Sequence, residues 1–181
     1  MKKKIYLIRH CQAEGQEAEA PLTEKGYIQA IQLAEFLSNM KIDRIISSPF
    51  LRALESIEPF TKNKSLDVQL DHRLAERLLS SISMPDWLEK LNATFNDLEL
   101  KLEGGESSRE AQARILAVID QVISSDLENI IIVTHGNIMS LLLKYYDHHF
   151  GFEQWKDLSN PDVFLLTFSN NNCSIEHVWQ K

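Results

Sequence analysis

The sequence predicts an α/β sandwich, and three observations carry that reading. Compact apolar runs at Lys3–Ile8, Asp43–Ser47 and Ile130–Val133 alternate with longer segments of helical spacing. The run Ile130–Val133 has no polar alternation, as expected of a strand covered on both faces. Two of these runs end in Arg9-His10 and in Thr134-His135-Gly136. Ligands in open α/β sheets gather beyond such carboxyl ends.

Each element has its own signal. Thr23 caps a helix whose apolar positions are Tyr27, Ala30, Ile31, Ala34 and Leu37. Ser48 followed by Pro49 reads as a cap and a first-turn proline, so the next helix is expected to start there. Leu66–Leu70 is a short strand candidate. Pro85 opens a helix with Leu88, Leu91, Phe95 and Leu98 on one face. Gly104-Gly105 breaks the chain, and Ser107 with Glu110 forms a capping box for a helix carrying Ala111, Ile115, Val118, Ile119 and Val122. The helix after His135 is apolar nearly all round (Ile138, Met139, Leu141, Leu142, Leu143), which predicts burial. Val163–Phe168 and Ser174–Trp179, with Asn170-Asn171-Asn172 between them, read as a closing hairpin.

At 181 residues the chain reads as one domain over 1–181, with enough length for a sizeable core. It carries 19 Lys and Arg against 26 Asp and Glu, a net charge of −7. That balance argues against nucleic acid as a partner. It also means that an anionic substrate must be drawn in by a local basic pocket. No stretch is long enough to span a bilayer, and Arg9-His10 cuts the N-terminal apolar run too short for a signal peptide. The two cysteines, Cys11 and Cys173, form neither a metal spacing nor a disulfide framework. A cytoplasmic protein with reduced thiols is expected, as monomer or dimer.

The residues with chemical potential are two arginines and two histidines at strand ends. Arg9 and His10 close the first strand, Arg52 falls in the first turn of the helix after the second, and His135 follows the Ile130–Val133 strand. Arginine suits a phosphate clamp because its planar fork meets two oxygens at once and keeps its charge. A phosphate monoester also needs an in-line nucleophile, which an imidazole supplies, and an acid for the departing alkoxide. Gly136 permits close approach at a helix start. His72, His148, His149 and His177 lack this setting and read as structural or solvated.

This arrangement resembles the histidine phosphatase superfamily, which includes the phosphoglycerate mutases. Arg9-His10 is similar to the family's Arg-His-Gly signature. Pro21–Ala30, Ser47–Ala53, Gly104–Ser107 and Val133–Gly136 match further family blocks in family order. The resemblance implies a three-layer α/β/α sandwich with a central, mostly parallel sheet. It implies that His10 is the residue that becomes phosphorylated and that His135 stabilises the phosphoryl group, with Arg9 and Arg52. Leu74-Ala75-Glu76 is similar to the family's Leu-x-Glu segment, which implies Glu76 as proton donor, with Glu106 as the rival carboxylate. Gln16 and Gly136 join Arg9, Arg52 and His135 as candidate phosphate contacts.

Three positions depart from the family pattern. Cys11 stands where the family has glycine, Ala13 replaces a Ser or Thr, and Gly15-Gln16 replaces a Trp-Asn pair. Cys11 is expected to be an inert core residue in a tolerable backbone conformation. The function expected is a metal-independent phosphomonoesterase acting on a small phosphorylated metabolite, with no cofactor. The chain is shorter than typical mutases of the superfamily, which favours hydrolysis over phosphoglycerate mutase-type transfer. A phosphoprotein phosphatase and a phospho-ligand binding protein are the remaining alternatives. Residues 78–105 are expected to cover the site and set specificity, with Trp87 and Phe95 as wall or core residues and the helical spacing of Phe95 favouring the core.

Overall fold

The computed structural model describes residues 2–170 and 172–180. It is a three-layer α/β/α sandwich around a six-stranded sheet ordered β3-β2-β4-β1-β5-β6. The strands are β1 (Lys3–Arg9), β2 (Arg44–Ser47), β3 (Val68–Leu70), β4 (Asn129–Thr134), β5 (Asp162–Ser169) and β6 (Asn172–His177). β1 and β2 both pair parallel to β4, and β3 pairs parallel to β2. β5 runs antiparallel to β1 and to β6, so the closing hairpin extends one edge. Its turn passes through Asn170 at φ 50°. Asn171, the middle of the expected turn, lies outside the described residues.

The sheet divides its side chains between two cores at the period of two that a strand imposes. Ile5 and Leu7 of β1, with Ile130 and Ile132 of β4, face helices α4 (Ser108–Ile123) and α5 (Gly136–Tyr146). Tyr6, Ile8, Ile131 and Val133 face α1 (Glu24–Leu37) and α2 (Leu51–Lys64) on the other side. Burial on both faces explains the unbroken apolar run of β4. α5 buries every residue from Gly136 to Leu143, as its apolar circumference predicts. A third, smaller cluster joins Leu91 and Phe95 of α3 (Trp87–Asn96) to Ala111 and Leu141. Leu79 and two aromatics of α6 (Phe152–Lys156), Phe152 and Trp155, pack against it.

The capping predictions hold where side chain and backbone are close in sequence. Thr23 accepts from the Gly26 N–H, and Ser107 with Glu110 forms the reciprocal box at the start of α4. The start of α2 differs. Phe50, not Ser48, is its N-cap, with no side-chain cap bond. The Ser48 hydroxyl lies 2.7 Å from His135 Nε2 and accepts from the Phe50 N–H. The Leu51 amide instead donates to the carbonyl of Ala18, so a distant loop does the capping. The buried face of α1 is also rotated from expectation. Gly26, Ala30, Leu33, Ala34 and Leu37 are buried, whereas Tyr27 and Ile31 are exposed. Leu88 is likewise exposed, and Leu98 falls beyond the end of α3.

Gly26 explains the rotation of α1. The Gln12 carbonyl, just past the end of β1, accepts from the Thr23 N–H. A Cβ on Gly26 would overlap that carbonyl oxygen and crowd Leu22 Cβ. The helix therefore sits directly on the segment that follows His10. Gly26→Ala should lower stability by roughly 1–3 kcal/mol, the usual effect of overpacking. Ile31→Ala on the exposed face should change it by less than about 0.5 kcal/mol. Urea denaturation of the two variants checks this, and equal midpoints would contradict the packing account.

Candidate active site

Parallel pairing brings the carboxyl ends of β2, β4 and β1 to one edge of the sheet, side by side in that order. The backbone holds the residues beyond those ends in register. The His10 N–H donates to the Thr134 carbonyl at 3.0 Å, and the Ser48 N–H to the Val133 carbonyl at 2.9 Å. The His10 and His135 rings meet edge to face with centroids 5.1 Å apart. Phe50 also packs edge to face with His135, with centroids at 4.9 Å.

His10 is presented in one tautomer. Its Nδ1 lies 2.7 Å from the carbonyl oxygen of Cys11. A carbonyl only accepts, so Nδ1 carries the proton and Nε2 carries the lone pair. Arg52 Nε donates to that Nε2 at 3.2 Å, and Arg52 Nη1 donates to the Glu17 carbonyl at 2.7 Å. Arg52 is 1% exposed and lies over the Phe50 ring, 4.9 Å from guanidinium carbon to centroid. Burial pushes the His10 pKa down to about 3, and the charges of Arg52 and Arg9 push the same way. His135, fully buried, is held well below the ordinary histidine range by desolvation and by the same cluster of positive groups. Both imidazoles are neutral at pH 7. His135 Nδ1 is buried with no hydrogen-bond partner among the described residues.

Arg9 occupies the β1 side of the cluster. Its Nη1 donates to the carbonyls of Leu158 and Ser159, while its buried Nε has no partner among the described residues. Gly136 is what makes room for it: a Cβ there would lie 2.9 Å from Arg9 Nε. Glu76 faces this group from the loop after β3. Its Oε1 accepts from the Arg77 and Ile138 amides, and its Oε2 from the Asn137 amide. The carboxylate thus sits on the N-terminus of α5, where the helix dipole favours negative charge. Oε2, with one amide contact against two on Oε1, keeps a lone pair for a proton. A small cavity of about 120 Å³ is lined by Arg9, His10, Gln12, Gln16, Glu76 and Asn160, among others. A larger one of about 370 Å³ shares Arg9, Gln16, Glu76 and Gly136 with it. Gln16 therefore borders both, and it is an exposed side chain of the rim.

The sequence candidates converge: Arg9, His10, Arg52, Glu76, His135 and Gly136 meet in one place, with Gln16 at the edge. Glu106, the rival carboxylate, is engaged elsewhere. It forms a two-point pair with Arg114 at 2.7 and 2.9 Å. Arg114 Nη1 also donates to the carbonyls of Arg73 and Ala75, so this pair braces the loop that presents Glu76. Cys11 is fully buried, its N–H donates to Ser56 Oγ, and burial raises its thiol pKa to about 12. It is not among the positive-φ residues, so the replacement of glycine carries no backbone strain. Ala13 lines the small cavity without a hydroxyl to offer.

Four contributors escaped sequence reasoning: Ser48 on His135, Arg114 behind Glu76, Asn137, and Asn160. Asn160 Nδ2 donates to the His10 carbonyl at 2.8 Å. Ser48 carried a visible signal, but it read as a helix cap. The others carried none. Among the described residues, no group of three or more His, Cys, Asp or Glu is placed to hold a metal ion.

The depressed histidine pKa values make a stability prediction. The unfolded chain takes up a proton at His10 near pH 6.5, whereas the native protein does so only near pH 3. The unfolded state therefore binds more protons in that window. Stability contributed by neutral His10 is complete above about pH 6.5 and is lost as pH falls toward 3. In phosphate-free buffer, unfolding free energy should fall by roughly a few kcal/mol between pH 7.5 and 4.5. His10→Gln should show a shallower dependence over that range. An unchanged slope would mean that native His10 titrates normally.

A Hydrogenobacter thermophilus protein named as a phosphoserine phosphatase is 28% identical over 156 residues, covering 78% of this chain and 77% of its own. A Salmonella choleraesuis protein named as a phosphoglycerate mutase is 26% identical over 193 aligned positions, covering 96% and 83%. Among solved structures, the native mycobacterial glucosyl-3-phosphoglycerate phosphatase superposes with a TM-score of 0.80 at 21% identity, covering 98% of both chains. A Bacillus anthracis phosphoglycerate mutase superposes with a TM-score of 0.78 at 19% identity, covering 98% of this chain and 92% of its own. These structural likenesses establish a shared fold. With His10, Arg9, Arg52 and His135 gathered at the carboxyl edge of that fold, and the family profile matching residues 5–180, the chain belongs to branch 1 of the histidine phosphatase superfamily.

Proposed function

We propose that the protein is a metal-independent phosphomonoesterase that hydrolyses a small phosphorylated metabolite through a phosphohistidine on His10. The observation that carries this reading is the orientation of His10. Its Nδ1–H is committed to the Cys11 carbonyl, which leaves the Nε2 lone pair 3.2 Å from Arg52 Nε. A phosphoryl oxygen arriving there takes over the arginine N–H, and Nε2 is freed to attack phosphorus.

The chemistry balances in two steps. His10 Nε2 forms a bond to phosphorus as the ester P–O bond breaks, and protonated Glu76 gives its proton to the leaving alkoxide. Water then attacks the phosphohistidine and passes a proton to the Glu76 carboxylate. Inorganic phosphate leaves, and neutral His10 returns. Arg9 Nε, buried without a partner among the described residues, is a donor available to the equatorial oxygens, and His135 Nδ1, likewise unpartnered, is a second one in the tautomer whose Nε2 accepts from the Ser48 hydroxyl. Gln16 reaches the phosphate from the rim, and Gly136 keeps the Arg9 guanidinium at close range. The two guanidinium groups supply the positive charge that a metal ion supplies in other phosphatases. Hydrolysis is favoured over transfer by the exposed rim, where Gln12 and Gln16 leave water a route to the phosphoenzyme.

The intermediate is directly testable. Brief mixing with a labelled phosphate ester, in EDTA throughout, followed by alkaline quench should leave acid-labile label on the peptide containing His10. His10→Ala should carry none. Label in that variant, label on Ser or Cys, or activity restored only by added metal ion would each overturn the mechanism.

Glu76 has its own test. An acid matters in proportion to the basicity of the leaving group. Glu76→Gln should lower kcat on an alkyl phosphate by about 10²–10⁴-fold. The same variant should leave most of the activity on nitrophenyl phosphate, whose phenolate departs unaided. Equal losses on both esters would assign Glu76 to phosphate positioning instead.

A further inference from the structure

The larger cavity beside the phosphate seat has a composition of its own. Its walls include Leu79, Trp87, Leu91 and Trp155, together with Asn137. Trp87 and Leu91 are one turn apart on α3, and Trp155 comes from α6. The aromatic face is rigid: Trp155 stacks on Phe152 at 5.4 Å, and Phe152 packs against Phe95 at 6.1 Å. Leu91 is almost fully buried, whereas Trp87 is 48% exposed, at the mouth. An exposed tryptophan that borders a cavity is poised to lose further surface to whatever enters it.

The charges of this cavity are as informative as its walls. Among the described residues, its lining cations are Arg9 and Arg77. Arg9 belongs to the phosphate clamp. Arg77 is spent on the fold: its Nη1 donates to Thr94 Oγ1 and Ser108 Oγ at 2.9 and 3.0 Å, and its Nε and Nη2 donate to the Glu106 carbonyl at 3.1 and 2.9 Å. Four of the five guanidinium N–H groups are used. The carboxyl group of Glu76 lines the cavity as well. A substrate bearing a carboxylate would bury that charge among leucine and tryptophan side chains, where the polar groups left to meet it are one N–H of Arg77 and the Asn137 amide. Burying an unpaired charge is costly, whereas burying an apolar body against tryptophan is favourable. Among the described residues, Asn137, 8% exposed, is the one neutral polar side chain buried in this wall, and neither of its amide atoms has a partner there.

We propose that this cavity selects phosphate monoesters whose alcohol is uncharged and largely apolar, an aromatic or bulky aliphatic group, and disfavours carboxylated esters such as phosphoserine and 3-phosphoglycerate. Trp87 and Trp155 are the specificity-determining residues. The inference rests on the phosphatase reading of the same site and adds the class of leaving group to it.

The test compares primary alkyl esters, so that leaving-group reactivity stays similar. The purified protein is assayed on 2-phenylethyl phosphate, ethyl phosphate, phosphoserine and 3-phosphoglycerate. The expected kcat/KM on 2-phenylethyl phosphate exceeds that on each of the other three by about tenfold or more. Trp87→Ala, a half-exposed position whose truncation spares the core, should reduce that value by on the order of tenfold while leaving ethyl phosphate within about twofold. Trp155→Phe should give a smaller loss of the same selectivity. Equal or greater activity on either carboxylated ester overturns the inference and leaves the phosphatase reading intact. A preference for 2-phenylethyl phosphate that survives Trp87→Ala and Trp155→Phe unchanged overturns it too, because selection then arises elsewhere. Turnover of no ester, with no label on His10, removes the phosphatase reading and this inference with it.

Discussion

Everything at the site depends on β4 having a parallel partner on each side. Parallel strands end at the same edge, so pairing β4 with β1 and β2 sets the chain segments beginning at His10, Ser48 and His135 next to one another. The ladder continues one step past each strand through the His10 and Ser48 amides. The side chains therefore issue from backbone that is already fixed. An antiparallel neighbour in either place would have sent one group of residues to the opposite edge. β5, which is antiparallel to β1, contributes at this edge through its beginning, with Asp162 in register with Arg9.

The second requirement is burial of positive charge beside neutral imidazole. Arg52 is 1% exposed and His135 fully buried, with Arg9 Nε and His135 Nδ1 lacking partners. Such a cluster is unfavourable by itself, because desolvated charges and orphaned donors cost stability. It is tolerated because the three-layer fold supplies two cores, one on each face of the sheet. The same desolvation that opposes charge on His10 keeps its Nε2 lone pair available. Local instability and chemical readiness thus have one physical origin.

Around this cluster, arginines serve as struts. Arg114 ties the Glu106 carboxylate to the carbonyls of Arg73 and Ala75, and Arg77 ties Glu106 to Thr94 and Ser108. Together they fasten residues 78–105, the long excursion before α4, to the loop that holds Glu76. The fork of arginine fits this work because it reaches several backbone carbonyls at once from one planar group. The apolar chamber between α3 and α6 is a consequence. Its walls are anchored by the same residues that fix the carboxylate, so the two halves of the site share one support.

By itself the sequence determined the α/β alternation, the buried character of β4 and α5, the caps at Thr23 and Ser107, and the identity of Arg9, His10, Arg52, Glu76 and His135 as the residues to watch. These are local matters: period, capping and short motifs depend on neighbours within a few positions. Tertiary structure decided the rest. It set the Ser48 hydroxyl between the Phe50 N–H and His135 Nε2, so that it serves the site and caps no helical amide of α2. It rotated α1 so that Tyr27 and Ile31 face solvent, because Gly26 lets the helix rest on the Gln12 carbonyl. It assigned Glu106 to Arg114 and brought Trp155 and Trp87 to the lining of one cavity, meetings that no spacing announces. Contacts between residues far apart in the chain are set by how elements pack, and only the folded chain contains that information.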